Sequence, residues 1–465
     1  MKAARTVKPI RSILAAALLA CSCLTPAWSE TLTDALVSAY RNSNLIEQNR
    51  AVLRAADEDV AQAVASLRPV IQFVTSGQYG YNETITSLGL PVTVEGTTGN
   101  YGLQASMTVY DFGRTQYAIE ATRQTVLATR EALLQVEQQV LLAAISAFVD
   151  VRLQQEIVAL RENNVRVLSE ELKATQDRFD VGEVTRTDVA QAQSSVAESE
   201  ANLVAAQGAL ASARERYKAA TGNYPGNLTA PPPPPRTAAT LDEAKQIALR
   251  THPAIRQAQY QVAAADFGVQ RAKANMRPSI SGTAQLSVND GGFQENGLGM
   301  QFSQTLYAGG QLASIMRQAI ANSDAQKANL AQQGVVVAQD VGITWADLDA
   351  AEASLTSTEQ QIAAAEIAFE GVREEANLGA RTTLDVLDAE QTLLDARASR
   401  LRVLATRYVS TYSLLASMGL LTVDHLKLGI PTYDPAAYYN AVRNAPAHSA
   451  QSKKLDRILK TIGQD

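Results

Sequence analysis

Aromatic residues make up only 5% of the 465-residue chain, and its two cysteines, Cys21 and Cys23, both fall in the first 25 positions. An exported product that loses this leader keeps no thiol for a disulfide. Histidine is scarce as well: His252, His425 and His448 stand far apart, without metal-ligand spacing. His252 precedes Pro253 near a helix start, where it reads as a surface residue. No G-x-S-x-G elbow or phosphate loop is present, and Gly291-Gly292 and Gly297-x-Gly299 sit in a hairpin turn, not between a strand and a helix. These absences argue against an enzyme and call for no cofactor and no metal. Beyond the leader no apolar run approaches the ~18 residues of a membrane-spanning helix. A membrane would have to be entered with strands.

What is present starts with the leader itself. Lys2, Arg5, Lys8 and Arg11 precede the run SILAAALLACSCL, followed by Thr25-Pro26 and AWS before Glu30. This predicts a secretory signal over 1–29, with Ala27 and Ser29 as the small residues of the cleavage site. Leu18–Cys21, LLAC, also resembles a lipobox that would leave Cys21 lipidated; cleavage after Ser29 fits better, because the first repeat begins at once. The leader removes four of 41 basic residues and none of the 47 acidic ones, so 37 against 47 leaves −10. That balance argues against nucleic acid as a partner.

The rest of the chain is a tandem duplication. TLTDALVSAYRNS at 31 matches TLDEAKQIALRTH at 240, and SLRPVI at 66 matches NMRPSI at 275. TVYDFG at 108, Gly182 and AATG at 219 match TLYAGG at 305, Gly379 and ASMG at 416. The change in offset places an extra segment in repeat one, between its Arg-Pro and Tyr-x-x-Gly landmarks. The expected organisation is repeat one at 30–225, a proline-rich linker at 226–239, repeat two at 240–423 and a tail at 424–465. Five consecutive prolines make the linker stiff and extended.

Within each repeat the period changes. Ile280, Ala284, Leu286 and Val288 alternate with Ser281, Thr283, Gln285 and Ser287, and Leu298, Met300 and Phe302 mark a returning strand. Repeat one does the same with Ile71, Phe73, Tyr79 and Tyr81, then Tyr101, Leu103, Ala105, Met107 and Val109. Each repeat is thus expected to hold a hairpin of strands about 11 residues long, the length that crosses a bilayer when tilted. Elsewhere the pattern is helical. Arg114 to Asp180 contains neither proline nor glycine and predicts one helix of about 67 residues and ~100 Å. Heptads run through Leu127, Leu134, Leu141 and Phe148, and through Val341, Leu348, Leu355 and Ile362, so the helices should pack as coiled coils. Four strands cannot close a barrel, and an open edge cannot survive in lipid. Three chains would supply twelve strands around a pore, making a homotrimer the expected assembly.

After Gly182 and Gly379 a second helix returns, and its first turn is written twice, as VGEVTRTDV and LGARTTLDVLDA. Thr185-x-x-Asp188 and Thr382-x-x-Asp385 each fit a capping box, which explains both aspartates as local structure. Asp388 is not covered by that explanation, and its counterpart in repeat one is Gln191. At i and i+3, Asp385 and Asp388 should share a helix face. If threefold symmetry turns that face to an axis, six carboxylates form a ring that attracts cations.

The duplicated layout and these two tip sequences resemble the TolC family of trimeric outer-membrane export channels over nearly all of residues 30–423. The resemblance implies a mainly α, α+β fold: a twelve-stranded transmembrane β-barrel continued by a long periplasmic α-helical coiled-coil barrel. It implies a passive conduit surrounded by lipid in the outer membrane of a Gram-negative bacterium and extending from there into the periplasm. Its implied partners are a periplasmic adaptor (membrane fusion protein) and an inner-membrane ABC, RND or MFS transporter. Site residues implied by the family are Asp385 and Asp388 as aspartate rings of a periplasmic gate, Arg381 as the tip arginine paired with Asp188 across neighbouring hairpins, and Thr187 and Asp188 as positions holding the tip shut. One departure is Ala376, where the family's prototype has a tyrosine three residues before the second tip glycine. The tail at 424–446 resembles that of members that export protein with an ABC transporter; Pro431 and Pro435 should keep it from being helical, leaving it loosely wrapped and its last residues poorly ordered. A periplasmic coiled-coil adaptor is the alternative reading, although such a protein has no need of two lipid-compatible hairpins.

Overall fold

The computed structural model describes residues 29–445 apart from 236 and 293, together with 453 and 457. The predicted leader, except Ser29, and the final residues expected to be poorly ordered lie outside the described set. The element order is written twice. First come β1 (Ser29–Glu30), α1 (Leu32–Asn42), α2 (Asn44–Ala65), β2 (Val70–Ile85), β3 (Pro91–Tyr110), α3 (Arg114–Asp180) and α4 (Arg186–Thr221). Then follow β4 (Asn227–Leu228), α5 (Leu241–Thr251), α6 (Pro253–Ala274), β5 (Ser279–Asn289), β6 (Gln294–Ser303), α7 (Gln311–Asn377) and α8 (Thr383–Ser417), with α9 (Pro435–Val442) in the tail.

Local chemistry sets the helix boundaries. Ser43 and Thr240 accept the N–H of Ile46 and Glu243, opening α2 and α5. His252 caps α6: its Nδ1 accepts from the Ala254 N–H at 3.1 Å, and burial lowers the imidazole pKa. It is a half-buried cap, not the free surface residue expected from its neighbours in sequence. The two longest helices, α3 and α7, are 67 residues each. Gly334, Gly342 and Gly371 lie inside α7 without breaking it, since a helix glycine costs only about 1 kcal/mol, within reach of packing. By length and composition one 18-residue window of α3 is apolar enough to span a membrane, contrary to the sequence reading; half of it is buried within the chain, as in a core helix.

Two compact units divide the chain, each drawing on both repeats. One comprises the described residues up to Asn42, Ala143–Pro235 and Ala351–Val409. In it Ile145, Phe148 and Val151 of α3 and Tyr217 of α4 are fully buried. The start of repeat one is tied to the linker: β1 pairs in parallel with β4, Ser29 against Asn227 and Glu30 against Leu228. The Glu30 carboxylate accepts from the Tyr217 hydroxyl at 2.5 Å and from the Gly226 N–H at 2.9 Å. Residues 231–235 adopt neither helix nor strand, and the Pro232 carbonyl accepts from the Tyr408 hydroxyl.

The other unit comprises Ser43–Leu142, Arg236–Ala350 and the chain from Ser410 onward. Its core joins Ala244, Ala248 and Ile255 of α5–α6 to Val337, Val341 and Leu348 of α7 and to Leu414 and Met418. It also carries a four-stranded antiparallel sheet in the order β2-β3-β5-β6. β5 and β6 have the expected length, 11 and 10 residues, but β2 and β3 run to 16 and 20. The extra segment of repeat one is therefore more strand: β3 pairs with β5 only from Asn100 onward, while β2 and β3 continue to pair out to Ile85 and Pro91. Alternation rich in Thr, Val and Tyr sustains the ladder up to a turn at Gly89, φ +76°. The tail also departs from expectation. Pro435 starts α9 at a position whose N–H would go unpaired anyway, with Asp434 accepting the Ala436 N–H at 2.8 Å, and the helix packs on α2.

Candidate functional site at the helical tips and the open sheet

Both tips end their ascending helix in the same way. Gly182 and Gly379 take φ of +83° and +77°, a conformation natural to glycine. Paired backbone bonds close each turn: Gly182 N–H to Phe179 O and Glu183 N–H to Arg178 O, mirrored by Gly379 to Ala376 and Ala380 to Glu375. The returning helices open with the predicted reciprocal caps. Asp188 accepts from the Thr185 hydroxyl and N–H, both at 2.7 Å, while the Thr185 hydroxyl accepts the Asp188 N–H. Asp385 accepts from the Thr382 N–H and hydroxyl, both at 2.9 Å, and its own N–H is accepted in return. Hydrogen bonds from the Thr185 side chain, then its backbone, lower the Asp188 pKa; those from the Thr382 backbone, then its side chain, with help from Arg381, do so for Asp385.

Within the chain Arg381 is not brought to Asp188. Its Nε donates to Glu375 Oε2 at 2.8 Å, across the turn, which raises the already high guanidinium pKa. Nor do Asp385 and Asp388 act as one ligand here: Asp385 is turned back onto Thr382, whereas Asp388 lines a small cleft of about 90 Å³ with Asn164, Ser195, Glu198, Asn202 and Gln391. Thr187 is exposed, as are Val181 and Leu378 beside the two glycines. Two turns into α8 lies a group that the sequence reading passed over. Glu390 accepts from Asn164 Nδ2 at 3.3 Å, and burial raises its pKa against that bond. Heptad counting marks such a residue as a polar position, and no sequence signal identified its partner 226 residues away.

The sheet presents two chemically distinct faces, because residues opposite one another in an antiparallel ladder share a side. On one, Phe73, Leu103 and Leu286 stand in one row and Ile71, Ala105, Ala284 and Leu298 in the next. On the other, Gln72, Gln104 and Gln285 stand in a row, bordered by Ser106 with Thr283 and by Ser76 with Asn100 and Asn289. Among the described residues nothing covers the apolar side: Phe73 is 68% exposed, Leu298 89% and Met300 73%. No lysine or arginine occurs between Arg68 and Arg114 or between Arg277 and Arg317. A contiguous apolar face of this extent marks a membrane or partner surface. In water it would aggregate; in lipid it is at home.

Residues 35–223 and 245–420 match the model of the outer membrane efflux protein family. The chain is 34% identical over 443 residues to the outer membrane efflux protein BepC of Brucella suis, covering 93% of this chain and 95% of BepC. It is 22% identical over 421 residues to the outer membrane protein TolC of Escherichia coli, covering 84% and 83%. The solved structure of CusC superimposes with a TM-score of 0.75 at 21% identity, over 84% of this chain and 92% of that one. A periplasmic adaptor, the alternative reading, is set aside by the match across both repeats. The chain belongs to the outer membrane efflux protein family and serves efflux across the outer membrane.

Proposed function

We propose that three copies of this chain form one conduit, each contributing four strands to a shared twelve-stranded barrel and its long helices to a periplasmic tunnel. The observation that carries this reading is the open sheet: among the described residues β2 and β6 are each paired on one side only, and the apolar face is exposed. Free edges are untenable in hydrocarbon, so β6 of one copy is closed by β2 of the next. The glutamine rows then face water inside the barrel. The mature chain starts at Glu30, and the conduit is passive, without catalysis or cofactor. A periplasmic adaptor (membrane fusion protein) connects it to an inner-membrane ABC, RND or MFS transporter, which supplies the free energy and selects the cargo, a drug or a secreted protein.

At the tips, Asp385 and Asp388 narrow the entrance, and Arg381 exchanges Glu375 for Asp188 of a neighbouring hairpin in the closed assembly, with Thr187 alongside. Opening is a two-state rearrangement of the helix ends. Single-channel recording in planar bilayers tests the gate. Asp385→Ala with Asp388→Ala should raise resting conductance and abolish block by divalent cations; a channel unchanged in both respects would remove these residues from the gate.

A further inference from the structure

We propose that the segment 423–445 is a proton-controlled strap, gripping α2 and α3 when Asp57 is protonated and loosening when Asp57 ionises. The strap is fastened at several points. Glu137 of α3 accepts the Val423 N–H at 2.7 Å, and Glu58 of α2 accepts from the Tyr438 hydroxyl at 2.6 Å. Arg50 lies 5.2 Å from the centre of the Tyr433 ring and Arg130 5.2 Å from that of Tyr439. Arg68 donates to the carbonyls of Asn444 and Ala445.

Beneath these contacts lies Asp57. It shares the inner face of α2 with Leu53 and Val60, which cluster with Val126 of α3, and Tyr433 and Tyr439 pack on that cluster from the strap. Asp57 is fully buried, and neither carboxylate oxygen has a hydrogen-bond partner among the described residues. A carboxylate in that position is costly and a carboxylic acid much less so. The charged and titratable groups around it are Arg50, Arg54 and Glu58 on α2, Arg130 on α3, and Tyr433 and Tyr438 on the strap. Burial outweighs the opposing attraction of Arg130 and pushes the Asp57 carboxyl up to about 6, with Glu58 adding to the rise.

Docking therefore takes up one proton: the undocked carboxylate, exposed to water, becomes a buried carboxyl group. Because the docked state binds the additional proton, attachment is strongest in acid and weakens as pH rises through the docked value near 6. Between pH 5 and pH 8 the docking equilibrium should fall about tenfold. The strap ties the chain after repeat two to helices of repeat one, so its release would loosen that junction and leave the sheet intact.

Hydrogen exchange of the full-length protein in detergent, corrected for intrinsic pH effects, reads this directly. Amides of 433–442 should exchange about tenfold faster at pH 8 than at pH 5, with a midpoint near 6. In Asp57→Asn they should stay protected at both pH values. In Tyr438→Phe, which removes the bond to Glu58 and keeps the Glu58 charge that acts on Asp57, they should be less protected throughout yet keep the same pH step. A wild-type profile that is flat, a step that survives Asp57→Asn, or a step that vanishes in Tyr438→Phe would overturn the proposal. The last comparison remains decisive if Asp57→Asn fails to fold.

Discussion

Replacing Gly419 by alanine should be far more damaging than the same change at either tip glycine. All three take positive φ, +75° at Gly419, so each alanine carries the left-handed strain of about 1–2 kcal/mol. They differ in what the added methyl meets. At Gly182 and Gly379 nothing lies within 4 Å, but at Gly419 the new carbon would sit 2.7 Å from His252 Cα, 3.1 Å from its nitrogen and 3.1 Å from Pro253 Cδ. These atoms belong to the α5–α6 junction, which cannot swing aside as a side chain can. Overpacking against backbone adds about 1–3 kcal/mol. Gly419→Ala should thus cost about 2–5 kcal/mol, and Gly182→Ala or Gly379→Ala about 1–2 kcal/mol. Urea unfolding of the detergent-solubilised protein, followed by far-UV circular dichroism, measures both. Equal losses at Gly419 and the tips would show that the close approach of α8's end to His252 does not exist as described.

Further expectations can be checked with standard methods. Phe148→Ala, at a fully buried heptad position of α3, should lower stability by about 3–5 kcal/mol in the same assay, whereas Leu127→Ala, half-buried in the same heptad series, should cost less. Mass spectrometry of protein recovered from outer membranes should find Glu30 as the first residue. A lipidated Cys21 would refute cleavage after Ser29 and leave β1 as an internal segment.

Much of this fold could be read from the sequence where local rules and tertiary packing agree. A stretch without glycine or proline became α3 with its predicted ends, since nothing in the surroundings opposes helix there. Alternation alone placed Phe73 and Leu103 on one side of a sheet and Gln72 and Gln104 on the other. Both tip caps formed as their Thr-x-x-Asp spacing required, because such bonds close within four residues. What the sequence concealed depends on long-range contacts. Glu375 faces Arg381 only because the turn at Gly379 folds the chain back. Pro435 reads as a helix breaker in isolation, yet its place directly after Asp434 makes it a helix starter. Asp57, lying between Leu53 and Val60 on the buried face of α2, was an anomaly that the periodicity could have exposed. The partners that make it consequential, Tyr433 and Tyr439, come from the far end of the chain.

The central claim is that one chain cannot seal its own sheet and that three do so together. The mass of the detergent-purified particle, by native mass spectrometry, tests this most directly. Three chains per particle, dissociating only as the sheet is lost, is the predicted result; a folded single chain stably inserted in lipid would contradict it.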